Sequence, residues 1–436
     1  MSDIIEPRVL KGFRDFLPSA EIERRSLLEK VEESFRSFGF VPIDTPALEY
    51  AEILTGKGGG ETEKQIYRFI DNGGRDVALR FDLTVPFARF IAEHRAELSL
   101  PFKRYHIAKV WRGENTQRGR YREFTQCDFD TVGSDTAAAD FEILLMIRHT
   151  LKHINAGDIT IRVNHRGLFN RFLGKIGVSD KSVEILRTVD KLAKVGRDAT
   201  RESLEALAGK EKARSILNYI EGRGSFEETL SDLTAAAGGS CAESERLTSI
   251  RRFMIDTGTA DTFVLDPSIT RGLDYYTGIV YETFLNALPD IGSVCSGGRY
   301  DDLAGLYSKE KISGVGTSIG LDRLIAALES LGKIKERESY AQAAVACIRE
   351  ADGGIVQGIG QKLREAGINC EVFLDEKKLT QQYIAAEKRG IPWMIIPSDS
   401  NAVGNSLILR NLSTRENREG LTVDSIIELL KKGDIP

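Results

Sequence analysis

Cysteine is scarce and scattered. The five Cys (Cys127, Cys241, Cys295, Cys347 and Cys370) lie far apart with no C-x-x-C pair, and the five His form no cluster with them. That pattern gives no disulfide framework and no zinc site. Long apolar runs are lacking too: no stretch approaches the roughly 18 residues of a membrane span, and the opening MSDIIEPRVLKGFRDF has no signal-peptide core. An excess of positive charge is also missing. The 60 Lys and Arg against 65 Asp and Glu leave a formal net charge of -5, which argues against nonspecific coating of nucleic acid but allows a local basic face. The expectation is a reduced, cytoplasmic enzyme with no membrane attachment, and 436 residues suffice for two or three domains that each bury a core.

What is present has clear periodicity. Leu27, Leu28, Val31, Phe35 and Phe38 recur at helical spacing between Pro18 and Gly39. Pro42 and Pro46 in GFVPIDTPAL then forbid a central strand and permit an edge or an extended arm, of the kind that often serves an interface. TGKGGGETEK (55–64) lacks the phosphate-loop spacing and reads as a mobile surface loop or lid. Residues 77–131, TIRVN, Ile269 to Phe284 and Gly314 to Gly320 read as a mostly antiparallel sheet, interrupted by a helix-forming stretch at about 167–256. Leu321, Leu324, Ile325 and Leu328 form one face of a following helix. Residues 332–341 are a polar connection, and 342–436 alternate strands with helices as βαβ units do. The fold class is α+β, with domains at 1–331 and 342–436.

The chemistry concentrates in FKRYHIAKVWRGENTQRGRYREFTQCDFD (102–130), a strand, a polar loop and a strand. Period-two alternation puts Arg120, Arg122, Phe124, Gln126, Asp128 and Asp130 on one face, and Tyr121, Thr125, Cys127 and Phe129 on the other. Arginines, an aromatic ring and carboxylates in that order suit a nucleotide joined to a small polar molecule. A solvated hairpin would alternate in the same way, so other features must decide. GVGTSIGLDRL (314–324) delivers Asp322 and Arg323 at the start of a helix, while TRGLDYYTG (270–278) and SGGRYDDL (296–303) combine flexible glycines with Arg, Asp and Tyr.

These residues resemble a known family. Arg112 and Glu114 in the hairpin, Gly320 to Arg323 and the Pro46 arm are similar to the signature motifs of class II aminoacyl-tRNA synthetases. TRGLDYYTG, GGRYD and LRFDLTVPFAR (79–89) resemble the peptides of the histidyl-tRNA synthetase branch. The resemblance implies a class II antiparallel catalytic sheet flanked by helices, a helical insertion and a C-terminal α/β anticodon-binding domain. Implied histidine contacts are Asp82, Leu83, Thr84, Arg112, Gln126, Asp130, Arg271, Tyr275 and Tyr276. Implied ATP contacts are Arg112, Glu114, Arg120, Tyr121, Phe124 and Arg323, and the catalytic set is Arg112, Arg271 and Gln126. Mg²⁺ is expected with ATP and on no assigned protein side chain; zinc is not expected. The implied partners are L-histidine, ATP, tRNA(His) and a second copy of the chain. Arg410, Arg415 and Arg418 are candidates for touching RNA. The alternatives are a non-charging regulatory subunit of histidine biosynthesis, a class II synthetase for another amino acid, and an RNA-binding module.

Overall fold

The computed structural model describes residues 4–56, 63–221, 224–271, 275–301, 305, 307, 310–334, 337–397 and 406–432. Most of the loop at 55–64 therefore lies outside the described residues, as do parts of TRGLDYYTG and SGGRYDDL. The chain forms two compact units, Met1–Arg14 with Leu28–Lys333, and Asp15–Leu27 with Ile334–Pro436.

The first unit is built on an eight-stranded sheet. Its strands run in the order Val41–Pro42, Phe102–Trp111, Glu123–Val132, Gly314–Gly320, Cys295–Tyr300, Ile279–Leu285, Ile159–His165 and Phe263–Leu265. Pairing is antiparallel except at the two edges, where Val41–Pro42 and Phe263–Leu265 join parallel. Pro42 thus sits on an edge, where its missing N–H costs no ladder bond. The helix Pro18–Ser37 buries Val31 and Phe35, and Phe35 meets Tyr105 and Phe129 at centroid distances of 5.5 and 4.7 Å.

Two parts of the sheet reading are corrected. Residues Thr84–Glu93, within the stretch read as strands, form a helix that buries Pro86, Phe87, Ala88 and Ile91. Pro86 in the first turn removes no helical hydrogen bond, and the Asp82 carboxylate accepts the Val85 N–H at 3.0 Å, so two local features outweigh the strand-like composition. Of the described residues between Ile269 and Phe284, those from Ile279 onward are strand. Arg271 lies in the left-handed region at φ 52°, which no strand accommodates.

From Arg166 to Asp256 the chain is mainly helical, with Ser225 and Glu228 forming a capping box at Phe226–Ala236. Helix Ala137–His153 is capped by Thr136, whose hydroxyl accepts the Ala139 N–H at 3.2 Å. Its fully buried Asp140 accepts hydrogen bonds from Arg299 Nε at 2.8 Å and Arg246 Nε at 2.5 Å. That ion network ties the helix to the strand Cys295–Tyr300 and the helix Ala242–Asp256.

The second unit carries a five-stranded sheet ordered Cys370–Val372, Ala343–Val345, Trp393–Pro397, Leu407–Asn411 and Asn417–Leu421. Period-two alternation sorts its core. Ala343, Val345, Trp393 and Ile395 pack with Val356, Ile359 and Ile426, whereas Ala344, Ala346, Met394 and Ile396 pack with Ala386. The first three strands are parallel, as βαβ units require, and the last two form an antiparallel hairpin that the sequence reading did not contain. Arg410 and Arg418 lie on this hairpin, and Arg415 in its turn sits at φ 65°. Arg410 Nη1 donates to Asn417 Oδ1 at 2.9 Å, and its guanidinium lies 5.0 Å from the Tyr383 ring centroid.

Candidate active site

A cavity of about 310 Å³ opens in the first unit over the central strands. The hairpin positions its cationic group. Arg112 directly follows the strand Phe102–Trp111; its N–H bonds to Arg122 O at 2.9 Å, its Nε to Phe81 O at 2.8 Å, and its guanidinium lies 5.1 Å from the Phe124 centroid. Glu114 and Arg120 approach within 4.0 Å. Arg323, in the first turn of helix Leu321–Ser330, donates to Ser293 O at 2.6 Å. Burial, helped by the charge of Arg120, pushes the Arg323 pKa down to about 10. It stays charged at neutral pH, but an anionic or nucleotide ligand would relieve this crowding of positive charge.

A second group is acidic and phenolic. Asp82 caps the helix at Thr84, and burial pushes its carboxyl up. Gln126 Nε2 donates to Ser318 Oγ at 2.8 Å. Asp130 accepts the Tyr300 hydroxyl at 2.6 Å. Tyr275 and Tyr276 have ring centroids 4.6 Å apart, and burial raises both phenols above their ordinary range; they remain neutral O–H groups. Arg271 joins this group and donates to Glu282 Oε1 at 2.8 Å. Burial opposes its charge, yet Tyr276 and Glu282 hold its pKa above the usual value.

The cavity lining includes Asp82, Thr84, Arg112, Glu114, Arg120, Tyr121, Phe124, Gln126, Asp130, Arg271, Tyr275, Tyr276 and Arg323. Leu83 is different: its side chain is fully buried and does not line the cavity. The face assignment also needs correction. The second hairpin strand begins only at Glu123, so alternation does not extend back through the loop. Tyr121 turns toward the cavity, with the Arg14 guanidinium 4.0 Å from its centroid. Arg122 turns away and donates to the carbonyls of Glu114 and Lys11.

Comparison with known proteins identifies the family. The family model for histidyl-tRNA synthetase covers residues 12–324, and an anticodon binding domain model covers 342–433. The chain belongs to the histidyl-tRNA synthetase family. A histidine–tRNA ligase of Treponema denticola is 56% identical over 92% of this chain and 91% of its own length, and one of Rhodopirellula baltica is 47% identical over 95% and 96%. A crystal structure of histidyl-tRNA synthetase from Nostoc sp. PCC 7120 superposes with a TM-score of 0.88 at 32% identity, covering 99% of this chain and all of that one. A structure titled ATP phosphoribosyltransferase regulatory subunit/histidyl-tRNA synthetase, from Bacillus halodurans C, shares the fold at TM-score 0.75 and 21% identity. Among the described residues no helix is long and apolar enough to cross a membrane.

In this histidyl-tRNA synthetase family member, several cavity residues carried no individual signal in the sequence: Gln65, Phe81, Cys295, Thr317 and Ser318. Gly316 is the most consequential. It lies opposite Asp130 in the sheet register, and a Cβ there would stand 1.8 Å from Asp130 Oδ1. Gly316→Ala is therefore expected to displace the Asp130 carboxylate, to cost about 1–3 kcal/mol of stability through overpacking, and to raise the KM for histidine far more than that for ATP. Steady-state pyrophosphate exchange at varied histidine and ATP checks this; equal effects on both substrates would refute it.

Proposed function

We propose that this chain activates L-histidine with ATP and transfers it to the 3′ end of tRNA(His), as an aminoacyl-tRNA ligase. The observation that carries the reading is one cavity lined by both the arginine–aromatic group and the acid–phenol group. The histidine carboxylate attacks the α-phosphorus of ATP and pyrophosphate leaves; the terminal tRNA hydroxyl then attacks the adenylate carbonyl and AMP leaves. Arg112 and Arg271 stabilise the charge on the α-phosphate, a role suited to preorganised cations in a site shielded from water. Phe124 and Arg323 sandwich adenine, Glu114 meets its amino group or the ribose edge, and Arg120 and Tyr121 complete the nucleotide contacts. Mg²⁺ enters as part of the nucleotide substrate, held by phosphate oxygens and water.

Asp82, Thr84 and Gln126 hold the substrate amino group. Asp130, with Tyr275 and Tyr276, meets the imidazole: a carboxylate accepts an N–H, and a phenol can pair with the other nitrogen. An apolar side chain would strand these buried polar groups, which makes rejection strong. The proposed layout is a catalytic domain at 1–331 with a helical insertion at about 167–256, a linker at 332–341 and an anticodon domain at 342–436. The proposed setting is the cytoplasm. We further propose a homodimer through the N-terminal helix and the Pro46 arm, a reading supported by exposed Val41, Leu48 and Tyr50.

ATP–pyrophosphate exchange tests the activation step. Exchange with histidine, and none with threonine, proline or glycine, is expected; tRNA charging then tests the second step. Histidine binding without exchange would favour the regulatory-subunit alternative. That alternative is the weaker reading, because the anticodon-domain match and Arg112, Arg271 and Arg323 are all present.

A further inference from the structure

Beneath the acid–phenol group lies a cation that no step above uses. Arg104 is wholly inaccessible to solvent, its Nη2 stands 2.6 Å from Asp130 Oδ2, and its guanidinium lies 3.9 Å from the Phe87 ring centroid. The sheet enforces the pairing: Arg104 and Asp130 are direct register partners on neighbouring strands, and Gly316 on the next strand leaves the space that the Asp130 carboxylate fills. Tyr300, from a further strand, donates to the other carboxylate oxygen.

We propose that Arg104 is a positioning residue for side-chain specificity: it holds Asp130 in its carboxylate form, aimed into the cavity, so that the accepted side chain must present an N–H. This rests on the reading that Asp130 meets the imidazole. Each carboxylate oxygen has two lone pairs, so the ion pair with Arg104 and the hydrogen bond from Tyr300 leave acceptor capacity for substrate.

The electrostatics agree with the geometry. Burial pushes the Asp130 carboxyl up, and Arg104 opposes it. Among the described residues, the groups that face Asp130 are Arg104 from the first hairpin strand, Asp128 from its own strand, Tyr300 from the strand Cys295–Tyr300, Tyr281 from the strand Ile279–Leu285, and Tyr276. Asp128, two residues away, is pushed up to about 7 by burial and also draws on the charge of Arg104, while its Oδ1 has no hydrogen-bond partner among the described residues. One guanidinium therefore serves two carboxylates. If Arg104 is removed, no other cation among the described residues opposes the protonation of Asp130; its pKa rises, and an acid O–H replaces the acceptor that an imidazole N–H needs. The defect must be largest at low pH and must shrink as pH rises through the new pKa.

The test is histidine-dependent pyrophosphate exchange from about pH 6 to 9, reported as the variant to wild-type ratio of kcat/KM so that the titration of histidine itself cancels. Arg104→Met is expected to raise the histidine KM at least about tenfold at pH 7, to leave the ATP KM within about twofold, and to recover toward pH 9. Arg104→Lys, which keeps the charge, should retain most of the wild-type profile. Asp128→Asn, isosteric with the native residue, removes the competitor for Arg104 and should move the acid limb to lower pH, which also serves if Arg104→Met does not fold. Asp130→Asn separates the two readings. No change in histidine KM there would refute the role of Asp130 itself. A raised KM in Asp130→Asn, with no shift of the acid limb in Asp128→Asn or a pH-independent defect in Arg104→Met, would overturn the role of Arg104 alone.

Discussion

Replacement of Arg271 by alanine is expected to slow histidine-dependent pyrophosphate exchange by a factor of about 10² to 10³, equivalent to about 3 kcal/mol or more in the activation barrier, with little effect on folding. Three observations set the size. Its Nη1 is fixed by Glu282 at 2.8 Å, its Nε is buried with no hydrogen-bond partner among the described residues, and the side chain lines the cavity beside Tyr276. A guanidinium oriented in this way is preorganised to meet charge that develops on a phosphate. Its backbone adds a fourth observation: φ is 52°, a conformation that costs an L-residue of order 1 kcal/mol or more and tends to persist where function over-determines it. Arg271→Gly should then be as inactive as Arg271→Ala while no less stable, because glycine adopts that φ freely. Exchange kinetics and thermal melting of both variants check the pair. Unchanged exchange in Arg271→Ala would remove this residue from the catalytic set.

The second large effect concerns stability. Asp140→Ala should destabilise the first unit by about 3–5 kcal/mol, the usual cost of stripping one partner from a buried ion pair. Asp140 and Arg299 are both buried, and they meet at 2.7 to 2.8 Å. Loss of the carboxylate leaves the guanidinium, among the described residues, with Ser134 O, the Ser313 hydroxyl and the more distant Asp135 and Asp301. The double variant Asp140→Leu/Arg299→Met should recover much of the loss, since apolar groups of similar volume can replace a buried pair. Urea midpoints read both outcomes, and a single variant as stable as the native chain would contradict the network's role. Arg299 immediately precedes Tyr300, which bonds Asp130, so exchange activity should fall before the unit unfolds.

Some of the site was legible because its signals are local. The hairpin announces Arg112, Phe124, Gln126 and Asp130 by a strand–loop–strand pattern with period two, and the helix at Leu321 announces Arg323 by its apolar stripe. The readings that failed were those where a local rule was carried past its element. Alternation puts Arg122 on the cavity face and Tyr121 on the opposite one, and both are reversed, because the chain is a loop until Glu123. Apolar, β-branched and aromatic residues made LTVPFAR look like strand, because composition does not reveal that Asp82 and Pro86 begin a helix there. Leu83 lies between the cavity residues Asp82 and Thr84, yet its side chain belongs to the core.

The sequence by itself determined most of the elements and the family, since periodicity and short motifs are properties of neighbouring residues. Only the tertiary structure decided which distant residues meet. The sheet order sets Gly314–Gly320 against the hairpin and Cys295–Tyr300 beyond it, and that order, which no local pattern encodes, makes Gly316 the space for Asp130, Tyr300 its donor and Arg104 its counter-ion. A buried charge is tolerated only where its partner is also present, and the partner is supplied by the strand next to it in space.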